Sequence, residues 1–269
     1  MTPQFLRHRS ELETHKVIPL IDRTKVLVNG DKIQMYNNVC PHQLSRICSN
    51  KQQEFKCQYH GWWWNLNGEP LNNHVALQGT LVHDVNGLLF NTIIDIPELA
   101  GLNLERYKLV EERVDRVEAS WQNIVDVFLD VDHIPVVHNG VYDEIGITDN
   151  SKIDWQYYDW GNTQQVYSDK NELVAVWVML YPYTMIEWQK GSLFITVCDP
   201  KGSYTDVTVL KYGDPENSLY IDNSRIFETA WEQDRRQAEN IMSFPPASAD
   251  EQKMHFRNYL KVHQQTLNF

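Results

Sequence analysis

Cys40-Pro41-His42 and Cys57-Gln58-Tyr59-His60, with fourteen residues between them, constrain this chain more than any other feature. Brought together, the two pairs offer two thiolates and two imidazoles. Thiolates suit one iron of a [2Fe–2S] cluster and neutral imidazoles suit the other. Exchanging two thiolates for imidazoles removes negative charge and raises the reduction potential, to about −150 to +300 mV. Zinc accepts the same donor types. Zinc sites, however, usually keep their two cysteines together and their two histidines together, whereas here each pair is cysteine first and histidine second. A lone Cys-x-His would carry little weight, because cysteine is commonly a small buried apolar residue.

The surroundings of these pairs are short and β-rich. Lys25–Val28 and Lys32–Tyr36 flank Asn29-Gly30-Asp31, a hairpin signal. Asn67-Gly68 and Asn86-Gly87 mark further turns. Ile96–Gly101 reads as a link, so the expected division is 1–100 and 101–269. At 269 residues the chain is one large domain or two small ones, and 42% hydrophobic residues suffice for a core. A net charge of −12 argues against nucleic acid or an anionic membrane surface as the main partner. Met1 to Lys16 is charged and lacks the apolar core of a secretory signal. The longest uncharged stretch, Leu173 to Ile186, is too short for a membrane span and contains Pro182. The expectation is a cytoplasmic protein in which Cys48 and Cys198 are free thiols.

The second region reads as helix from Ser120 to His133, strands from Leu173 to Leu210 with a turn at Asp199–Gly202, and a last clear helix from about Ser224 to Met242, before Pro245-Pro246. Asp126, Asp130 and His133, at offsets of four and three, share one helix face. Taken alone, an amphipathic helix with an acidic wet side explains them. His138 adds a second imidazole. On a regular helix an i,i+5 pair diverges by about 140°, but Pro135 disrupts the helix between the two. Two imidazoles and one carboxylate hold Fe(II) on one side and leave positions open for O2. Asp234 is the candidate carboxylate. Phe227, Ala230, Asp234, Ala238 and Ile241 form one helical stripe, and a carboxylate within it needs a cation or a metal. The competing reading puts Asp234 in an exposed charged cluster with Arg235 and Arg236. Glu232 and Glu239 fall off the stripe.

The two Cys/His pairs, the Tyr59-His60-Gly61-Trp62 run, and Asn123, Asp126, Asp130, His133 and His138 in order and spacing resemble the terminal oxygenase component of Rieske non-heme iron oxygenases. A segment like Trp231-Glu232-Gln233-Asp234 carries that family's third iron ligand. The resemblance runs from about Lys16 to Met242. The chain is short for the family, and the gap between its cluster pairs is slightly short as well. Respiratory-chain Rieske proteins carry an extra disulfide where this chain has Ser45 and Tyr59, which disfavours that branch.

The resemblance implies an α+β fold: an all-β Rieske domain, then a helix-grip (START-like) catalytic domain with an antiparallel sheet and a long C-terminal helix. It implies a [2Fe–2S] cluster on Cys40, His42, Cys57 and His60, and a mononuclear Fe(II) on His133, His138 and Asp234. It further implies a ferredoxin or flavin-dependent reductase as electron donor, and a homotrimer in which Asp130 bridges His133 to His60 of a neighbouring copy. Asp126 either supports the iron site or makes a structural ion pair. The activity implied is oxidation of a small organic substrate by O2, with monooxygenation (hydroxylation or oxidative demethylation) favoured. Trp121, Tyr157, Tyr158, Trp160, Trp177, Tyr181, Tyr183 and Trp188 are candidates to line its pocket. Two other classes stay open: an electron carrier with an inert second domain, and a zinc-stabilised binding module.

Overall fold

A computed structural model describes residues 2–72, 74–245, 248 and 250–263. The chain divides into two compact units, Met1–Lys108 and Leu109–Phe269.

The first unit is made of short strands: β1 (Phe5–His8), β2 (Val17–Pro19), β3 (Lys25–Asn29), β4 (Ile33–Asn37), β5 (Phe55–Lys56), β6 (Trp63–Trp64), β7 (Thr80–Leu81), β8 (His83–Val85) and β9 (Leu88–Phe90), with one short helix, α1 (Glu11–Thr14). They form a four-stranded sheet in the order β2-β3-β4-β7, a three-stranded sheet β1-β9-β8 and a two-stranded ribbon β5-β6. β3 and β4 pair antiparallel, Val26 against Tyr36 and Leu27 against Met35, across the turn at Gly30. Gly30 has no substitute there, since a Cβ would lie 2.5 Å from the Leu66 carbonyl oxygen. Asn86-Gly87 joins β8 to β9, and both residues have positive φ, as a tight hairpin turn requires. The core below the ribbon contains Val26, Val28, Tyr36, Phe55 and Trp64 together with Cys40 and Cys57. The cysteines therefore sit in packed surroundings while their loops reach outward.

The second unit is a seven-stranded sheet crossed by helices. Its elements are β10 (Lys108–Val117), α2 (Trp121–Phe128), α3 (Ile134–Val137), β11 (Lys152–Tyr158), β12 (Gly161–Tyr167), β13 (Leu173–Leu180), β14 (Thr184–Gln189), β15 (Ser192–Pro200), β16 (Thr205–Gly213), α4 (Ser218–Asn240) and α5 (Glu251–His263). The sheet order is β10-β16-β15-β14-β13-β12-β11, and β11 to β16 pair antiparallel in succession. α4, 23 residues long, lays Phe227, Ala230 and Ala238 inward, and Phe227 stacks on Phe194 of β15 with centroids 4.5 Å apart. A long helix held against an antiparallel sheet is the α+β, helix-grip arrangement. No helix among the described residues is long and apolar enough to cross a membrane.

Four sequence expectations change. The helix expected to reach His133 stops at Phe128. Pro135 cannot donate to the carbonyl four residues back and its ring clashes there, so the chain breaks and restarts as α3 with Pro135 in the first turn, where the missing N–H costs nothing. The long helix begins at Ser218 rather than near Ser224, because the Asn217 side chain caps it by accepting from Leu219 N at 2.9 Å. It is not the last helix, since α5 follows; Pro246 lies outside the described residues. The turn after β15 sits two residues later, closed by Lys201 N donating to Tyr204 O at 2.9 Å.

α5 is tied to α2 through charge. Arg257 Nη2 lies 2.8 Å from Asp126 Oδ1, and Lys253 Nζ lies 2.7 Å from Asp130 Oδ2 and 3.8 Å from Asp126 Oδ2. Asp126 and Arg257 are both nearly inaccessible, with side chains 6% and 4% exposed. Burial raises the Asp126 carboxyl above its ordinary value and outweighs the two cations, so the pair persists through mutual need rather than surplus energy. Asp126→Ala leaves Arg257 buried without its counter-ion. We expect it to cost about 3–5 kcal/mol of stability, read as a lower urea midpoint; an unchanged midpoint would show that α5 docks by apolar contacts alone.

Candidate metal centres

Two loops of the first unit carry the first cluster of candidate ligands. Cys40 N donates to Ser45 O at 2.8 Å and Leu44 N to Cys40 O at 2.9 Å. In the second loop Cys57 N donates to Trp62 O at 2.8 Å and Gly61 N to Cys57 O at 3.0 Å. The residue four after each cysteine, Leu44 or Gly61, has positive φ (54° and 73°), so the two loops turn alike. Each thereby aims a cysteine inward and a histidine outward. Cys40 and Cys57 are 1% exposed, while His42 and His60 are exposed and lie with ring centroids 4.8 Å apart. His42 stacks on Trp62, which stacks in turn on His74.

Burial raises the Cys40 thiol, with the neighbouring Cys57 adding to it. Burial acts the same way on Cys57, but the Ser45 hydroxyl (3.4 Å from Sγ) and the backbone N–H groups of Tyr59 and His60 bring it below the ordinary value. Such donors favour thiolate, the form that binds iron. Two adjacent buried sulfurs and two adjacent exposed imidazoles, carried on the same two loops, supply the donor set of a [2Fe–2S] cluster with two thiolate and two imidazole ligands.

The second centre lies in the second unit. His133 and His138 flank the single turn of α3, and Asp234 faces them from the middle of α4. His133 Nε2 and His138 Nε2 are 2.9 Å apart, and Asp234 Oδ1 is 3.1 Å from the first and 2.9 Å from the second. At metal–ligand distances of about 2.1 Å, three mutually cis ligands stand about 3.0 Å apart, so this triangle matches one face of an octahedron. The ligating atom of His138 is set by its other nitrogen: Nδ1 lies 2.7 Å from Gln233 Oε1, which accepts its proton and leaves Nε2 free to bind. Burial raises the Asp234 carboxyl, but both imidazoles outweigh that and hold it low; burial lowers His138, and Asp234 overrides it upward. Arg235 and Arg236 pair with Glu232 and Glu239 instead, so Asp234 stands apart from the surface charge cluster. Asp130 and Asp126, the other sequence candidates, face α5 as described. His133 Nδ1 is buried and has no hydrogen-bond partner among the described residues.

A cavity of about 50 Å³ opens beside the triangle, room for a few waters or a compact ligand group. Tyr142, Trp177, Phe227 and Trp231 line it together with Glu187. Of the eight aromatics expected from sequence, only Trp177 is among the lining residues; Tyr181, for instance, is 1% exposed in the core. Glu187 and Gln233 escaped the sequence reading. Glu187 is one charged residue within the apolar strand 184–189, a signal that alternation in β14 could have supplied; nothing marks Gln233 apart from its place next to Asp234.

Burial pushes the Glu187 carboxyl up to about 8, with the Asp234 charge adding to it and His138 opposing. A raised folded-state value means that the fold retains this proton longer than the unfolded chain does. Its stabilising contribution is therefore complete below the ordinary carboxylate value and lost as pH climbs to about 8. In metal-free protein, we expect Glu187→Gln to gain stability over wild type across that window and to match it at pH 4. Parallel wild-type and variant curves of melting temperature against pH would refute this.

Residues 2–79 match the Rieske [2Fe-2S] domain family. The chain is 25% identical over 240 residues to putrescine 2-hydroxylase of Ralstonia nicotianae, covering 74% of this chain and 65% of that one. It is 28% identical over 174 residues to the carnitine monooxygenase oxygenase subunit of Escherichia coli K12, covering 52% and 46%. It thus spans less than two-thirds of either relative's length. Among solved structures, the quaternary ammonium Rieske monooxygenase CntA superposes with a TM-score of 0.74 at 16% identity, over 97% of this chain and 88% of that one. Pseudomonas putida NdmA superposes with a TM-score of 0.57 at 16% identity, over 98% and 89%. These two share the fold.

Proposed function

Because this chain carries a Rieske [2Fe–2S] domain and is related to the oxygenase subunits of Rieske monooxygenases, we propose that it is a monooxygenase acting on a small organic substrate. The observation that carries this is the His133–His138–Asp234 triangle, which an electron carrier would not need. The net reaction is insertion of one oxygen atom into a C–H bond: O2, two electrons and two protons enter, and the second oxygen leaves as water. When bound, the mononuclear iron would activate O2 and the cluster would supply it with electrons.

The protein's own groups have definable tasks. Cys40, His42, Cys57 and His60 would hold the cluster, and the two exposed imidazoles are the ligands that a ferredoxin or flavin-dependent reductase would approach. His133, His138 and Asp234 hold the iron, and Gln233 keeps His138 in the binding tautomer. The aromatic lining excludes water from the cavity. Asp130 orients His133 and links it to His60 of a second copy in a closed ring of three. The unpartnered His133 Nδ1, three residues from Asp130, supports that role.

The test is iron and acid-labile sulfide per chain after anaerobic purification, then 18O2 turnover with a reductase. About three irons with two sulfides, and one labelled oxygen in product, is the expected result. Two irons with two sulfides, unchanged by added Fe(II), would leave an electron carrier. Zinc without sulfide would overturn the reading altogether.

A further inference from the structure

The cavity beside the His133–His138–Asp234 triangle contains a carboxylate with no task in the reading above. Glu187 lines it and makes no hydrogen bond or ion pair with any described residue. Its neighbours are otherwise accounted for. Of the other carboxylates on the lining, Asp130 pairs with Lys253 and Asp234 faces the two histidines. No lysine or arginine is among the described lining residues. Trp177 stands directly opposite Glu187 in the β13–β14 register, so the two side chains share one face of the sheet. Its indole N–H is buried and likewise unpartnered.

A buried carboxyl without a partner keeps its proton, and it ionises there only when a compensating cation or donors arrive. Resting on the oxygenase reading, we propose that Glu187 is the specificity residue of this cavity, binding the protonated nitrogen of a small aliphatic amine that carries no carboxylate of its own. Three features lead there. The free carboxylate accepts N–H donors, which favours a primary or secondary ammonium over a quaternary one. The aromatic faces of Tyr142, Trp177, Phe227 and Trp231 tolerate a cation where aliphatic walls would not. The lack of a lining cation leaves a substrate carboxylate unmatched, so zwitterions are rejected. The raised value of Glu187 describes the site without ligand; an ammonium against it removes the cause, which is burial without a counter-charge.

Calorimetric titration of anaerobic holoprotein tests this with three small probes: n-butylammonium, the equally sized 1-butanol, and the zwitterion glycine betaine. We expect n-butylammonium to bind at least about tenfold more tightly than either other probe, and Glu187→Gln to lose about tenfold for the amine while leaving 1-butanol unchanged. Equal binding of amine and alcohol by wild type, tighter binding of betaine, or undiminished amine binding by Glu187→Gln would each overturn the proposal. The wild-type comparison stands even if the variant folds poorly. The oxygenase reading fails separately, through iron and sulfide content. Protein with full metal content that ignores the amine refutes the role of Glu187 alone, and amine binding to protein that never takes up the third iron refutes the oxygenase alone.

Discussion

Asp234→Ala lowers iron from about three to about two atoms per chain, leaves acid-labile sulfide unchanged and abolishes product formation. The cause is local. Among the described residues, Asp234 is the only carboxylate within 3.1 Å of both His133 and His138. Without it, two neutral imidazoles remain, with neither the third donor nor the negative charge that a divalent ion needs. The helix itself should tolerate the change, because its surface ion pairs run from Arg235 and Arg236 to Glu232 and Glu239 and do not involve position 234. Alanine also suits a helix interior. Metal analysis and a thermal melt on the same preparation therefore separate loss of iron from loss of fold. Retention of the third iron with coupled turnover would remove Asp234 from the site.

Asp130→Asn behaves oppositely: both metals stay and turnover falls by about a hundredfold. Asparagine keeps the shape and the acceptor oxygen but loses the charge, so an imidazole that depends on a carboxylate keeps a hydrogen-bond partner and loses the anion that stabilises its protonated form. Asp130 also accepts from Lys253 at 2.7 Å. A purely structural role would lower the melting temperature and leave turnover per folded, metal-loaded chain intact. The two roles thus give different readings in one experiment. Full turnover with both metals present would leave Asp130 as the counter-ion of Lys253 and nothing more.

The residues in these tests differ in how visible they are in the sequence. Cys40, His42, Cys57 and His60 are legible because a cluster accepts few residue types and needs them in two short loops, where spacing along the chain limits spacing in space. His133 and His138 are nearly as legible as a pair, but the break that Pro135 suggests falls before His133: the two residues cap the single turn of α3, and it is as end residues of that turn, not across a break, that they converge. Asp234 was readable from a helical stripe, although the register of α4 against the sheet settles whether that stripe faces imidazoles or water. Local pattern failed where stabilisation is tertiary. β10 alternates intermediate and exposed residues with no buried run until Val117. α5 is polar for most of its length and is held by Arg257 and Lys253 reaching two aspartates more than a hundred residues earlier.

By itself, then, the sequence determined the kind of metals this chain can hold, because ligand chemistry depends on residue identity and on short-range spacing. Only the tertiary structure decided what surrounds them. Asp126 became an ion-pair partner of Arg257 because α5 docks on α2. Glu187 became an unpaired carboxylate because the pairing of β13 with β14 sets it opposite Trp177 on one face of the sheet. The first outcome depends on a contact between segments more than a hundred residues apart, and although alternation within β14 marks Glu187 as out of place, what surrounds its side chain is set by the elements packed on that face of the sheet.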